Sequence, residues 1–284
     1  MTTNASRLHL ARSPHETAWR LADGLLRREY RLALGGFVIL SLMVPTAMAL
    51  AIDDRTLNGI SVWIKPLKFQ LSVGLYLLTL AWFVGALPVE TRHGRAVRIL
   101  VTLALATSAF EIGYITLQAA RGLASHYNVA DPFYRLMYTL MGIGAVTLAA
   151  ASPALAVLLL RHRPQAWSTA FWLSVLLGLT LTFVLGAGSG GVLSAGNGHW
   201  IGGVRTDATG VPIFGWSRTG GDLRVAHFLG LHALQIMPVL GLIAERWAPG
   251  RAASFIVCAA ALAYGVATLF VFVQALRGIP FIPA

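Results

Sequence analysis

The sequence is poor in charged residues and in cysteine. Asp, Glu, Lys and Arg make up 12% of the 284 residues, about half the share that soluble globular proteins carry. That supply is too small for a water-facing surface of ordinary size, which excludes a soluble enzyme domain. Cys258 is the only cysteine, which excludes a disulfide-stapled secreted module. Hydrophobic residues make up 56% and the mean hydropathy is +0.69, so the composition indicates a polytopic membrane protein.

Acidic residues are scarcer than basic ones, 11 against 22, which gives a net charge of +11. In a soluble protein such an excess would indicate nucleic-acid binding. Here the arginines lie in short segments between apolar runs, which is how membrane topology is encoded. We therefore expect no nucleic-acid partner and take the basic residues as markers of orientation.

Long apolar runs dominate the rest of the chain. A helix needs about 20 apolar residues to cross the hydrocarbon core, and lipid-exposed backbone must form its own hydrogen bonds. No alternating pattern of membrane strands is present. The sequence thus predicts an all-α fold, a bundle of seven transmembrane helices. The predicted spans are 32–52, 66–87, 97–120, 134–160, 167–187, 224–244 and 253–276.

The basic residues divide unequally between the two sides of these spans. Thirteen lie on the side of the N-terminus and nine on the other side. Because short cytoplasmic loops carry the excess of Lys and Arg, the N-terminus is predicted to be cytoplasmic. After seven crossings the C-terminus is then periplasmic. The predicted location is the bacterial inner membrane, with the lipid bilayer as the surrounding partner.

Residues 1–31 are predicted to form a cytoplasmic segment before a single transmembrane domain over 32–284. Ser13-Pro14-His15-Glu16 has the pattern of a helix capping box with proline at the first helical position. One face of the helix that it begins carries Trp19, Ala22, Leu26 and Tyr30. Arginines surround this apolar face, a pattern typical of an amphipathic helix that lies on the cytoplasmic leaflet.

One connection, 188–222, is long, rich in glycine and predicted to be external. It also carries the aromatic residues Trp200, Phe214 and Trp216. Loops of this length without a helix of their own are usually functional or disordered. The aromatic residues favour a loop that folds back over the outer face of the bundle.

Polar side chains form stripes on the second, third and sixth predicted spans, at spacings of three and four residues. Such stripes face protein or water, and ionisable groups inside a span are candidate sites by default. Most of the three stripes fall in the outer half, which predicts a polar pocket that opens outward. Its predicted lining residues are Lys65, Lys68, Tyr76, Glu111, Tyr114, Gln118, Arg121, Arg224 and Gln235. The alternative is structural, with Glu111 paired to Lys68 or Arg121 between helices.

Three histidines lie at or near the same height. His126, His227 and His232 are candidate ligands for haem b or a divalent metal, since imidazole is the commonest metal ligand. His227 and His232 are five residues apart, about 140° around a helix, so they are poorly placed to bind one ion together. Simple hydrogen bonding within the polar pocket is the alternative role for these imidazoles.

Three sequence segments resemble a family of uncharacterised bacterial polytopic inner-membrane proteins. They are Trp63-Ile64-Lys65-Pro66-Leu67-Lys68-Phe69, Ser125-His126-Tyr127-Asn128 and Thr219-Gly220-Gly221-Asp222-Leu223-Arg224, the last followed by His227 and Gly230-Leu231-His232. The resemblance covers most of the chain from the first span onward. It implies a bacterial multi-pass protein and brings no activity with it.

The leading functional hypothesis is a redox or sensory membrane protein that binds haem or a metal near the three histidines. One alternative is a transporter or binding protein for an anion, a quinone or a lipid headgroup, with the lysines and arginines as a positive lining. Another is a scaffold subunit of a membrane complex. The sequence leaves open the ligand, the oligomeric state and whether the protein is an enzyme.

Overall fold

The computed structural model describes residues 14–284 and contains seven helices that are long and apolar enough to cross a membrane. This confirms the predicted all-α, multi-pass architecture. Spans 1 to 7 are Tyr30–Ile52, Ile64–Val84, Arg95–Ala120, Pro132–Arg161, Thr169–Ala195, Leu223–Trp247 and Arg251–Leu276. Their bounds follow the predicted ones within a few residues, except that the fifth span is longer.

The elements follow the chain in a simple order. The helices are α1 (Pro14–Arg28), α2 (Tyr30–Ser41), α3 (Met43–Ile52), α4 (Ile64–Val84), α5 (Val89–Arg92), α6 (Arg95–Ala120), α7 (Pro132–Arg161), α8 (Thr169–Leu181), α9 (Gly188–Ala195), α10 (Leu223–Trp247) and α11 (Arg251–Leu276). A π-helical segment, Thr182–Ala187, joins α8 to α9 within span 5. The strands are β1 (Thr56–Leu57), β2 (Ile60–Ser61), β3 (Trp200–Ile201) and β4 (Gly221–Asp222).

Because the number of spans is odd, α1 and the end of the chain lie at opposite ends of the bundle. We call the end that carries residues 53–63, 121–131 and 196–222 the loop side. Two short antiparallel pairs of strands lie there, β1 with β2 and β3 with β4. The β3–β4 pair links the start of the long loop directly to the start of α10.

The core lies among spans 2 to 6. Between 39% and 50% of the apolar stretch of each of these spans is buried, against 17% for span 1 and 22% for span 7. The fully buried side chains are mostly apolar, and they include Leu77, Leu80, Val101, Leu155 and Leu179. Spans 1 and 7 therefore lie at the periphery, where most of their apolar surface faces lipid.

Spans 5 and 6 approach closely through glycine. A Cβ on Gly230 would lie 2.6 Å from the backbone N of Gly186, and one on Gly178 would lie 2.9 Å from the carbonyl oxygen of Ala233. Small residues allow helix backbones to meet in this way inside membranes. The contact coincides with the π-helical segment, where the backbone N–H of Leu234 donates to Thr182 Oγ1 at 2.9 Å.

The long loop is shorter than the predicted 188–222 because residues 188–195 are helical. The glycines of that stretch favour a loop when the sequence is considered alone, and for these residues the prediction is wrong. In the structure Gly190 lies against the imidazole of His227, where a Cβ would come within 2.8 Å of the ring. Helical hydrogen bonding also satisfies the backbone within the bilayer. Glycine here permits close packing, and the irregular part of the connection is 196–220.

The first helix, α1, ends at Arg28, and α2 begins directly after it. Glu29 caps α2 by accepting a hydrogen bond from the backbone N–H of Leu32 at 2.6 Å. The Arg28 guanidinium lies 5.1 Å from the ring centroid of Trp82, which connects α1 to span 2. Ser13, the predicted N-cap of α1, and the Trp19 side chain lie outside the described part of the chain. The placement of α1 on a leaflet stays a prediction.

Candidate functional site

The first part of the site is a contact between Lys65, at the loop-side end of span 2, and His126. The Lys65 ammonium lies 3.0 Å from Nδ1 of His126, in the connection between spans 3 and 4. An ammonium group has donors only, so Nδ1 of His126 accepts this hydrogen bond. Ser125 Oγ lies 3.1 Å from the same nitrogen. The imidazole of His126 is therefore held by two neighbours through one nitrogen.

One turn further along span 2, Lys68 and Ser72 meet the long loop and span 6. Lys68 Nζ donates to the carbonyl oxygen of Phe214 at 2.9 Å. Ser72 Oγ lies 3.5 Å from Nε2 of His232. The ring of Phe228 connects these contacts, since its centroid lies 5.4 Å from that of Phe214 and 4.3 Å from that of His232. At these positions the polar face of span 2 therefore lies against span 6 and the long loop.

An ion-pair network anchors the loop to the start of span 6. Arg224 pairs with Asp207 Oδ1 at 2.8 Å and with Asp222 Oδ2 at 2.6 Å. It also donates to the carbonyl oxygen of Gly215 at 2.6 Å. His199 lies 3.1 Å from Asp207 on the other side. Both carboxylates are almost completely buried, and paired charges of this kind fix a loop in one conformation.

The network has a clear electrostatic consequence for the loop. Burial alone would raise the pKa of Asp207, but hydrogen bonds from His199 and Arg224 outweigh it and leave that pKa below its usual value. Burial lowers the pKa of His199, so at neutral pH its imidazole is neutral and donates to the carboxylate. Arg224 with Asp207 and Asp222 then carries a net charge of −1.

Lys65 is the point where the stripes of spans 2, 3 and 6 converge. Its ammonium lies close enough to Arg224, Glu111 and Lys68 for electrostatic interaction with all three. Neither Lys65 nor Lys68 has a carboxylate within 4 Å among the residues that the structure describes. Glu111 is buried, and its Oε1 has no hydrogen-bond partner. The predicted pairing of Glu111 with Lys68 or Arg121 is therefore absent from residues 14–284.

His227 lies deeper in span 6, against the π-helical segment. Its Nδ1 lies 2.9 Å from the carbonyl oxygen of Gly186, so Nδ1–H is the donor and Nε2 keeps its lone pair. Burial, and after it the positive charge of Lys65, hold the pKa of His126 well below its usual value. His126 is therefore a neutral imidazole at neutral pH.

Lowering the pH from 7.5 to 5 is expected to destabilise the protein through His126. Below pH 6.5 the unfolded chain binds a proton at this residue that the folded chain excludes, so stability falls from pH 6.5 down towards the folded pKa. The loss amounts to at most about 1.4 kcal/mol per pH unit in that window. Thermal unfolding in detergent at a series of pH values measures it. The stability of the His126→Gln variant should depend less steeply on pH. The control, His93→Gln, changes an exposed position outside the site and should keep the wild-type slope. Equal slopes in all three proteins would contradict the role of His126.

Five of the predicted pocket residues lie outside the group formed by Lys65, Lys68, Glu111 and Arg224. Tyr76 donates to the carbonyl oxygen of Leu148 at 2.7 Å and joins span 2 to span 4. Gln118 Nε2 donates to the hydroxyl of Tyr114 at 2.7 Å, within span 3. The first bond holds two spans together, and the second fixes two side chains on one face of span 3. Arg121 is exposed and donates to the hydroxyl of Tyr134, and Gln235 lines a shallow groove between spans 2, 5 and 6.

The haem or metal hypothesis gains no support from the geometry. Within residues 14–284 no group of three His, Cys, Asp or Glu side chains could hold a metal ion. The three candidate ligands have three different neighbours, Lys65 for His126, Gly186 for His227 and Ser72 for His232. A cation beside His126 would also face the Lys65 ammonium, which repels it.

The structure adds residues that the sequence prediction missed. Asp207 and the carbonyl oxygen of Phe214 both contact the basic cluster, and both come from the irregular loop, where no periodicity marks them. Asp222 could have been found, because an Asp directly before an apolar helix is a typical N-cap. Its carboxylate does accept from the backbone N–H of Arg224 at 3.0 Å.

Fold and site together define a multi-pass helical membrane protein with a cluster of partly buried basic side chains near its loop side. Comparison with protein-family models, with curated proteins and with solved structures gives no match for this chain. Function is therefore argued below from the geometry of the site.

Proposed function

We propose that this protein binds a small anion, a carboxylate or a phosphate, at Lys65 and Lys68 on the loop side of the bundle. The observation that carries the proposal is the state of these two lysines. Each ammonium has three donors, yet each makes one hydrogen bond, to a neutral acceptor, and lies beyond ion-pair distance of every described carboxylate. Partly buried cations without an ion-pair partner cost desolvation free energy unless an anion or a water molecule binds to them.

The surroundings of the lysines favour an anionic ligand. Arg224 is already paired with two carboxylates, so within the described cluster the positive charges that lack an ion-pair partner are those of Lys65 and Lys68. The backbone carbonyl of Phe214 is a weaker partner for an ammonium than an ionised oxygen would be. An intramembrane or interfacial cluster of basic residues commonly marks the path or binding site of an anion.

The orientation predicted from the arginine distribution supports a site that is reached from the periplasm. In that orientation the loop side faces out of a bacterial inner membrane, and the ligand is taken from outside the cell, either for uptake or for sensing. The resemblance of the Lys65-Pro66-Leu67-Lys68 segment to bacterial inner-membrane proteins supports the same location.

An anion is expected to stabilise the purified protein through Lys68. Thermal unfolding in detergent is measured with phosphate, sulfate, acetate, succinate and citrate at constant ionic strength, with chloride as the reference. At 100 times its Kd a ligand stabilises by about 2.7 kcal/mol, a shift of several degrees in Tm. Lys65→Gln and Lys68→Gln should each raise the Kd of the stabilising anion at least tenfold.

Arg121→Gln is the matched control, because Arg121 is also basic and on the loop side but is exposed and outside the cluster. It should keep the full ligand-dependent shift. Two results would contradict the proposal: a wild-type protein that none of these anions stabilises, or an Arg121→Gln variant that loses as much of the shift as Lys68→Gln.

A further inference from the structure

A second, separate feature faces the bilayer. A groove of about 700 Å³ lies between spans 1, 2 and 3, a volume within the range of small-molecule sites. It follows span 3 from Ala120 to Leu105, which corresponds to roughly 22 Å along the helix. Its walls are almost wholly apolar, and span 1, which forms one of them, is the least buried of the seven spans.

Two polar atoms in the walls of this groove lack hydrogen-bond partners. They are Oε1 of Gln70 on span 2 and Oγ1 of Thr116 on span 3. Gln70 is 1% exposed, and its Nε2 already donates to Thr46 Oγ1 on span 1 at 2.9 Å. Unpaired buried polar atoms are costly, and no lipid tail can pair with them.

Thr116 is unusual among the membrane threonines. Threonine in such helices usually donates to the carbonyl four residues earlier, and Thr79, Thr139, Thr147 and Thr180 do so here. The Thr116 hydroxyl makes no such bond. Its side chain is partly exposed and lines the groove.

At the loop-side mouth of the groove, the side chain of Arg55 already has its partners. Arg55 pairs with Asp53 at 2.7 Å and also donates to the carbonyl oxygen of Ala120. Asp53 accepts a further hydrogen bond from Nε1 of Trp63, at 2.8 Å. The positive charge of Arg55, which would attract the phosphate of a phospholipid headgroup, is therefore neutralised. The unpaired polar atoms lie further in, since Thr116 is about 6 Å below Ala120 along the helix.

We propose that this groove binds a lipid-soluble quinone or quinol, with its ring between Gln70 and Thr116 and its isoprenoid tail along spans 1 and 3. A flat ring with oxygens on its edges fits apolar walls that carry single polar groups at one depth. Thr116 donates to a ring oxygen, and Gln70 Oε1 accepts from a ring hydroxyl of the quinol. The length of the groove suits a tail, and its opening towards the bilayer gives access from the membrane.

Quenching of Trp63 fluorescence tests this assignment, because Trp63 lines the groove and quinones quench tryptophan. The full chain is placed in phosphatidylcholine nanodiscs and titrated with a benzoquinone that carries a decyl chain. The Trp63 signal is the difference between wild type and Trp63→Phe. Saturable quenching is expected, and Thr116→Val should raise the half-saturation concentration about tenfold, the equivalent of about 1.4 kcal/mol. Gln70→Leu removes an acceptor that only the quinol uses, so it should leave the half-saturation concentration of the quinone unchanged.

Thr147→Val is the matched control, since Thr147 makes the ordinary bond to its own helix, and it should leave the half-saturation point unchanged. Thr116→Val tests the assignment even if Gln70→Leu folds poorly. Quenching that is linear in quinone and equal in all variants would show mere partition into lipid and would overturn the proposal. So would displacement of the quinone by added phosphatidylglycerol at equal concentration, which would identify a phospholipid site.

Discussion

Replacement of Gly230 by alanine is expected to destabilise the protein by about 3 kcal/mol, the upper end of the range for overpacking. The added methyl group would meet backbone atoms of Leu185 and Gly186 at 2.6–2.7 Å, and backbone cannot rotate away as a flexible side chain can. Spans 5 and 6 must therefore separate, which also disturbs the bond between Leu234 and Thr182. Thermal unfolding in detergent should show a fall in Tm of ~10 °C.

The control for this variant is Gly113→Ala, in span 3, where a Cβ would meet nothing within 4 Å. Because alanine is the better helix former, this control should be neutral or stabilising by up to about 1 kcal/mol. If both variants unfolded at the same temperature, the close contact between spans 5 and 6 would be refuted.

The second large effect is expected from Arg224→Met. This variant leaves Asp207 and Asp222 buried without their cation, and breaking a buried ion pair from one side costs about 3–5 kcal/mol. The loop should detach from span 6, so we expect a lower Tm together with rapid cleavage of residues 196–220 by thermolysin. Arg205→Met removes an exposed arginine from the same loop and should change neither property.

The effect of the two unpaired carboxylates can be separated from the effect of side-chain packing at Arg224. Addition of Asp207→Asn and Asp222→Asn to Arg224→Met removes both unpaired charges and should recover part of the lost stability. A triple variant as unstable as the single one would show that the loss comes from the shape of the arginine side chain and not from the two carboxylates.

The seven spans could be predicted because their determinant is local. A run of about 20 apolar residues must cross the bilayer as a helix whatever its neighbours are. The polar face and the height of the stripes on spans 2, 3 and 6 could also be predicted, since helical spacing sets the face and chain direction sets the depth. What periodicity could not supply was which groups inside that zone become partners.

The errors have equally specific causes. Residues 188–195 were assigned to a loop because three glycines stand there, yet these glycines allow a helix to pack against His227 and span 6. Tyr76 and Gln118 share the polar stripes, but short bonds to Leu148 and Tyr114 make them structural. The role of Asp207 could not be predicted from the sequence, because it depends on a loop conformation that contacts with Arg224 and His199 determine.

The bond from Lys68 to the carbonyl oxygen of Phe214 makes the loop itself a competitor for the proposed anion. An anion can use the two free donors of the Lys68 ammonium, but one that draws the ammonium away from Phe214 must displace a peptide group that is tethered beside it and therefore present at high effective concentration. Weakly charged solutes do not displace this peptide group, so the bond favours strongly charged ligands. Occupancy is also transmitted outward, because release of Phe214 loosens its stacking on Trp216, whose ring centroid lies 4.3 Å away.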